Sequence, residues 1–199
     1  MKKTTRRASA AMIAIAAAAG LVLVSGSPAG AVRPLAQATL HNAAGATIGT
    51  VVFSGSGSHA DRVEVNLTLP ADAPGIGAYH GFHIHTVGSC DAAFTAALGH
   101  WNLNVGATHG NHTGDLSSVL VGPDGTASMT FETPRFNVAD LFDADGSAVI
   151  LHAGVDNFGN VPIVSGKYED PSSWYGSATG TGATGDAGAR YGCGVVQPA

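Results

Sequence analysis

The segment RVEVNLTL, residues 62–69, restricts the fold more than any other part of the sequence. Its apolar residues, from Val63 to Leu69, occupy every second position, and polar residues fill the positions between them. Because successive side chains of a strand point to opposite faces, this pattern predicts a strand with one face in a core and the other in solvent. Burial of one face only is typical of antiparallel sheets, so we expect an antiparallel architecture.

Further strand signals recur along the chain, separated by glycine-rich connections. They are ATLHNAAGATIGTVVF around a turn at residues 42–45, GFHIH at residues 81–85, SSVLV and TASMTF on either side of a hairpin turn at residues 122–125, SAVILHA at residues 147–153, and GVV near the end. No segment has a convincing amphipathic helix pattern. Seven or eight short strands predict an all-β domain, either a β-sandwich or a flattened eight-stranded barrel.

Two connections are much longer than the others, at residues 85–115 and 153–192. Long loops inside a compact domain are usually functional or disordered, and the histidines beside both loops favour function. Within the second, GSATGTGATGDAG at residues 176–188 has the composition of a flexible linker. Its position between a histidine-bearing strand and a cysteine is equally consistent with a tethered loop.

The first 31 residues have the features of a signal peptide. A basic head with Lys2, Lys3, Arg6 and Arg7 precedes an apolar run at residues 11–24 and an Ala-x-Ala site at residues 29–31. We therefore expect cleavage, by the Sec or the twin-arginine route, to leave a domain of residues 32–199 that is secreted or kept in the cell envelope or a periplasm. The alternative is a membrane anchor, but 14 apolar residues are short for a span and no second apolar segment follows. The mature form is thus predicted to have no membrane span.

The charge of the chain restricts its possible partners, and its cysteines indicate the redox state of its compartment. Without the signal, five Lys and Arg residues face all 14 Asp and Glu residues, a formal charge of about −9. Such a surface disfavours nucleic acid and anionic membranes as partners. Cys90 and Cys193 are the only two cysteines, and in an oxidising compartment a disulfide is the expected state.

Histidines form the most informative set of polar residues. In an extended strand, His83 and His85 would point to the same face, and a single pair of this kind is weak evidence for a metal. Imidazole suits copper and zinc, and a carboxylate can complete a zinc site. The wider set makes a stronger case for a metal centre; it comprises His83, His85, His100, His109, His112, Asp115 and His152. The isolated His41 and His59 are interpreted as surface residues.

Several separated motifs together resemble the copper/zinc superoxide dismutase family. They are GFHIH, Ser89-Cys90 shortly after it, LGHWN, HGNHTGDL, ILHAGVDN and GDAGARYGCGVV, in this order from residue 81 to residue 196. The resemblance implies a Greek-key β-sandwich or flattened barrel with two long functional loops, copper and zinc as cofactors, and superoxide anion as the substrate, converted to oxygen and hydrogen peroxide. The family includes monomers and homodimers, and either state is open to this chain.

The resemblance also implies roles for individual residues. Copper would be bound by His83, His85, His100 and His152, and zinc by His100, His109, His112 and Asp115. His100 would bridge the two metals and move a proton, and Arg190 would attract the substrate, although a surface ion pair is the alternative for this arginine. Around the metals, Asp156 would link a copper ligand to a zinc ligand, Thr184 would line the channel, and Cys90 and Cys193 would form the family disulfide. His80 is interpreted from its position beside Gly81, and not from the resemblance, as a residue that hydrogen-bonds a ligand rather than a ligand itself.

Two segments depart from the family pattern. Only two residues separate His109 from His112, so the zinc loop is short. Residues 157–182 form a longer loop than we expect for the family, with an unusual Ser173-Trp174-Tyr175 sequence that would either pack the loop down or screen the copper. A copper-only dismutase and a non-enzymatic copper-binding module on the same scaffold are therefore the alternatives.

Overall fold

A computed structural model describes residues 34–57, 59–70, 78–158, 163–164, 167–168 and 181–199. The predicted signal peptide at residues 1–31, and the Ser173-Trp174-Tyr175 segment, lie outside these residues. The described part contains twelve strands: β1 (Pro34–Asn42), β2 (Thr47–Gly55), β3 (Val63–Leu69), β4 (Tyr79–His80), β5 (Phe82–His85), β6 (Val119–Leu120), β7 (Ala127–Thr133), β8 (Ala148–His152), β9 (Ile163–Val164), β10 (Lys167–Tyr168), β11 (Arg190–Val195) and β12 (Gln197–Pro198).

Helical structure is minor in these same ranges. There are two short 3-10 helices, Thr95–Ala97 and Val138–Phe142, and one four-residue α-helix, α1 (Thr181–Thr184). Within the described ranges no helix has the length and apolar content needed to cross a membrane. The all-β prediction is confirmed, while α1 is a helix that the glycine-rich sequence did not indicate.

Eight of the strands form one antiparallel sheet. Their order is β5-β8-β11-β1-β2-β3-β7, with β12 paired to β1. After β3 the chain crosses to the far end of the sheet to form β5, returns to place β7 beside β3, and crosses again to β8. These crossovers give the Greek-key character that was expected, and they bring β5 and β8 together at one end.

The core lies under the alternating strands. In β3 the apolar positions are buried, as the alternation predicted. Aromatic contacts extend this core towards the histidine-bearing end: Phe136 packs edge-on against Phe53 and Trp101, with ring centroids 6.3 and 5.6 Å apart. Trp101 follows His100 directly, so packing of the core fixes the backbone next to a candidate ligand.

Both predicted turns form, but one of them does not close a hairpin. The turn at residues 43–46 joins β1 to β2, which are paired. At the second turn, Gly122 N–H donates to the Thr126 carbonyl at 2.8 Å. The strand before it, β6, pairs with β4, and β7 pairs with β3. The expected pairing of the two flanking strands was wrong, because β7 pairs within the eight-stranded sheet while β6 pairs with β4 in a separate two-stranded sheet.

Candidate metal centre

Two neighbouring strands place three of the candidate ligands. His83 and His85 lie on β5, and His152 ends β8, which pairs with β5 in antiparallel register. The His152 N–H donates to the Gly81 carbonyl at 2.8 Å, which ties the end of β8 to the start of β5. All three histidines are almost completely buried. The rigid end of the sheet therefore fixes their positions.

The loop after β5 returns along the free edge of that strand and delivers two more ligands. His100 forms an isolated β-bridge with His85, and Asp115 forms one with His83. Between them, Ile84 accepts a backbone hydrogen bond from Trp101 at 2.8 Å and donates one to Gly114 at 2.9 Å. A Cβ at Gly114 would lie 2.4 Å from the Ile84 carbonyl oxygen, so this close approach requires glycine.

Four imidazoles converge on one point that suits copper. One ring nitrogen from each of His83, His85, His100 and His152 lies within 4.8 Å of the others. His83 Nδ1, His85 Nε2 and His152 Nε2 are buried, with no hydrogen-bond partner in the part of the chain that the structure describes. Buried polar atoms without partners are costly, and a metal ion that accepts their lone pairs removes that cost. The residues present fit a copper ion.

The predicted zinc ligands lie around one oxygen of Asp115. From Asp115 Oδ1, the distances to His100 Nδ1, His109 Nδ1 and His112 Nδ1 are 2.9, 3.2 and 3.4 Å. The Nδ1 atoms of His100 and His109 are 3.2 Å apart. A tetrahedral zinc ion with ligand bonds of 2.0–2.1 Å would separate its ligand atoms by about 3.3–3.4 Å. His100, His109 and Asp115 fit zinc, but the group whose ligand atoms all lie within 4.8 Å of one another contains His83 as its fourth member and not His112. His112 Nδ1 lies 3.4 Å from Asp115 Oδ1, and it is another buried atom for which the described residues offer no hydrogen-bond partner.

Asp156 connects the two groups of ligands. Its Oδ2 accepts from His83 Nε2 at 2.5 Å, and its Oδ1 accepts from His109 Nε2 at 2.8 Å. A carboxylate on the second nitrogen of a ligand fixes the tautomer and orientation of the ring. The space for this bridge depends on Gly185, where a Cβ would lie 2.3 Å from both Asp156 Oδ1 and His109 Nε2. Gly185 is not among the residues predicted from the sequence. It is the first glycine of GDAGAR, and in the structure it has a left-handed φ of 64°.

The environment keeps most copper-side histidines neutral. Burial lowers the pKa of His100 to about 4, although its hydrogen bond to Asp115 opposes the change. Burial, reinforced by the neighbouring His83, lowers the pKa of His152 to about 3. The pKa of His85 is also held well below its usual value, mainly by burial and then by His100. Neutral imidazoles are the form that binds metal.

The zinc-side residues have the opposite electrostatic character. Burial lowers the pKa of His109, but hydrogen bonds to Asp115 and Asp156 outweigh it and raise the pKa to about 9. Burial works against ionisation of both aspartates, yet the histidines bound to them hold each carboxyl pKa below its usual range. Both carboxylates are thus ionised at neutral pH, as a cation site requires.

Arg190 reaches the copper group from β11. It pairs in register with His152, and its charge lowers the pKa values of His85 and His152 after the effect of burial. The guanidinium donates to the backbone carbonyls of Phe94 and Leu98. Cys90 and Cys193 form a disulfide that joins the same loop to β11. In the described part of the chain, two backbone carbonyls hold the arginine in place.

The remaining predicted residues lie around this centre. His80 is buried, and its Nδ1 donates to the His152 carbonyl at 3.2 Å. Thr184 ends α1, and its hydroxyl accepts from the Asp186 N–H at 3.3 Å; its place in a substrate channel stays a prediction. His41 and His59 lie outside both metal groups, as expected for surface residues.

Fold and site together define a class of protein: an antiparallel β-sheet domain with two adjoining, histidine-rich groups of possible metal ligands, both of which include His83 and His100. Residues 47–196 match the sequence profile of the family described as copper/zinc superoxide dismutase (SODC). The chain belongs to this family of oxidoreductases, whose cofactors are copper and zinc.

Mycobacterial proteins are among the similar sequences. The chain is 33% identical over 165 residues to a protein named superoxide dismutase [Cu-Zn] from Mycolicibacterium paratuberculosis, an alignment that covers 76% of this chain and 69% of the relative. It is 37% identical over 129 residues to the protein of the same name from Mycobacterium tuberculosis, covering 59% of this chain and 52% of that relative. The chain thus spans about half the length of the second relative.

Solved structures agree on the fold. A double mutant of a SOD-like protein from Bacillus subtilis superimposes with a TM-score of 0.61 at 27% identity, covering 79% of this chain and 94% of that one. The clock protein EA4 superimposes with a TM-score of 0.60 at 23% identity, covering 84% of this chain and 96% of that one. At that identity the second likeness concerns the fold alone.

Proposed function

We propose that this protein is a superoxide dismutase that converts superoxide to oxygen and hydrogen peroxide. Copper would be held by His83, His85, His100 and His152, and zinc by His100, His109, His112 and Asp115. The observation that carries the proposal is the convergence of buried, unpartnered ring nitrogens on the copper position. Two superoxide anions and two protons give one oxygen and one hydrogen peroxide, so the site must handle both charge and protons.

Bound copper supplies reversible one-electron exchange between Cu(II) and Cu(I). The chain supplies the rest. Arg190 attracts the anionic substrate with a permanent positive charge and a planar set of donors. His100 holds a proton at Nε2 and returns it as peroxide forms, while its Nδ1 stays on the zinc side, 2.9 Å from Asp115. Asp156 keeps His83 and His109 in fixed orientations.

The test is a dismutase assay on protein loaded with both metals, combined with metal analysis. We expect cyanide-sensitive activity and about one zinc per copper. Fully loaded protein without activity would contradict the proposal. Activity with copper but no zinc would instead identify a copper-only dismutase, the alternative suggested by the short loop between His109 and His112.

Substitution of Arg190 separates an enzyme from a copper-binding module. We predict that Arg190→Ala lowers turnover about tenfold or more, because the site loses electrostatic attraction for an anion, while copper content stays nearly unchanged. Arg190→Lys, which keeps the charge, should retain part of the activity. Arg62→Ala is the matched control, because it removes an equal charge before β3 and should leave turnover unchanged. Equal turnover in Arg190→Ala and the wild type would refute the role.

We further infer that the protein is exported after removal of residues 1–31. The Cys90–Cys193 disulfide supports an oxidising compartment. Mass spectrometry of protein from the culture medium and the cell envelope should find an N-terminus at Val32, and only full-length protein inside cells would contradict this. Sedimentation equilibrium on the same material distinguishes the monomer from the homodimer, the two states known in the family.

A further inference from the structure

Arg135 connects the end of β7 to the short zinc loop, residues 109–115. The arginine lies in the ETPRF segment between β7 and the second 3-10 helix, about twenty residues from the loop along the chain. Its Nη1 donates to the His112 carbonyl at 2.7 Å, and its Nη2 donates to the Gly110 carbonyl at 2.9 Å. The planar guanidinium thus holds two carbonyls of one loop at once, which a single ammonium group does less well.

Asp115 holds the same two residues by their other backbone groups. Its Oδ2 accepts from the Gly110 N–H at 2.7 Å and from the His112 N–H at 2.9 Å. Gly110 and His112 are therefore held between an anion on their N–H groups and a cation on their carbonyls. Because Oδ2 is engaged by the backbone, Oδ1 is the oxygen left to face the three imidazoles of the zinc ligands.

This arrangement explains how a short loop can present three ligands in a fixed geometry. A loop with only two residues between His109 and His112 must adopt one conformation to place both rings and Asp115 around one ion. Hydrogen bonds to charged groups are stronger than those between neutral groups. The opposite face of the loop is also restricted, since a Cβ at Gly110, whose φ is 90°, would lie 2.5 Å from the Phe158 carbonyl oxygen.

We propose that Arg135 is a positioning residue for the zinc site, which sets zinc affinity by holding the backbone of residues 110 and 112 in the metal-binding conformation. The inference rests on the assignment of His109, His112 and Asp115 as zinc ligands. Arg135 contacts neither metal nor substrate in this role. It acts through two backbone carbonyls.

The experiment measures zinc affinity at constant copper occupancy. Copper-loaded wild type and Arg135→Ala are titrated with zinc against a competing chelator, and cobalt is then bound at the zinc site to record its absorption spectrum. Loss of a residue that orients metal ligands typically weakens metal binding 10–100-fold. We expect a rise of about that size in the zinc dissociation constant, an altered cobalt spectrum, and a change in copper affinity below about twofold.

Two further variants keep the inference falsifiable. Arg62→Ala removes the same charge from an exposed position before β3 and should bind zinc like the wild type. Arg135→Lys, whose ammonium lacks the planar pair of donors that spans the two carbonyls, should bind zinc with intermediate affinity; it is the variant to measure if Arg135→Ala does not fold. Unchanged zinc affinity in either Arg135 variant, or an equal loss of copper and zinc affinity, would overturn the inference.

The outcome is separable from that of the proposed function. A wild-type protein that binds zinc tightly without dismuting superoxide would refute the enzyme assignment and leave the role of Arg135 standing. A fully active dismutase whose zinc affinity does not depend on Arg135 would support the enzyme assignment and refute the role of Arg135.

Discussion

For each copper-side histidine on the sheet, the partner of one ring nitrogen decides which nitrogen is left for the metal. His83 Nε2 donates to Asp156 at 2.5 Å, so Nδ1 remains. His85 and His152 each donate Nδ1 to a backbone carbonyl, at 2.8 and 3.1 Å, so Nε2 remains. The remaining nitrogens are buried and have no hydrogen-bond partner among the described residues. Tautomers are therefore set by neighbours before any metal binds, which reduces the reorganisation that binding requires.

Gly185 lies against the hydrogen bond between Asp156 and His109. In Gly185→Ala the new Cβ would collide with both Asp156 Oδ1 and His109 Nε2, so the bridge must open. We expect a loss of about 2–4 kcal/mol in the free energy of unfolding, from steric conflict added to an unfavourable φ. Zinc binding should weaken as well, because His109 loses the carboxylate that orients it. Urea denaturation and a zinc titration measure the two effects.

Gly45→Ala is the matched control for backbone strain alone. Gly45 has a φ of 80°, and nothing lies within 4 Å of the position that its Cβ would occupy. Gly45→Ala should lower the free energy of unfolding by about 1–2 kcal/mol, because alanine is unfavourable at a left-handed φ, and it should leave zinc affinity unchanged. If the two variants proved equal in both measurements, the proposed conflict at Asp156 would have no consequence.

At the level of elements, the alternating segments were predictable and the short pairings were not. The pattern of RVEVNLTL predicted β3, and the turn chemistry at residues 42–45 predicted the β1–β2 hairpin. The β4–β6 ladder involves two residues on each side, too few for any periodicity to appear. The packing of the surrounding structure brings β4 and β6 together, and for the same reason β6 does not pair with β7.

The features of the metal centre also divide into those that the sequence predicts and those that it does not. The ligand types and their order along the chain are visible in the sequence, because metal chemistry restricts them to histidine and aspartate. The contacts of Arg135 and Gly185 are not visible, because both act on residues distant in the chain. A lone arginine in ETPRF has no local pattern that identifies its target, and only its hydrogen bonds to the Gly110 and His112 carbonyls reveal it.

The disulfide links two distant elements, the loop before His100 and strand β11. Cys90 and Cys193 are 103 residues apart, so in the chain-entropy model the bridge restricts a large part of the unfolded chain and contributes about 4–5 kcal/mol. The Cys90→Ser/Cys193→Ser double variant, compared with the wild type as metal-free proteins in guanidinium denaturation, should lose stability of that order. An unchanged free energy of unfolding would show that the bridge adds nothing to stability.

On the scale of the whole molecule, the metal centre places an unusual number of titrating groups in one buried region. His85, His100 and His152 have pKa values below the unfolded value of about 6.5, with those of His100 and His152 at about 4 and 3. Between these values the unfolded chain binds more protons than the folded one, so stability falls as the pH falls below about 6.5. The pKa of His109 is raised to about 9, so its contribution is complete below pH 6.5 and is lost as the pH rises through 9.

The metal-free protein should therefore be most stable near pH 6.5–7 and lose stability in both directions. On the acidic side, between about pH 6 and pH 4, unfolding should take up as many as three protons, which bind to these histidines in the unfolded chain. Below about pH 4 the loss of stability continues, because Asp115 and Asp156 become protonated more readily in the unfolded chain. Urea denaturation from about pH 4 to pH 9 measures the slope, which gives the proton uptake directly. His85→Gln removes one of the three groups and should reduce the acidic slope by about one proton. A slope that is the same in this variant and the wild type would show that His85 titrates normally in the folded protein and does not contribute to the acid sensitivity.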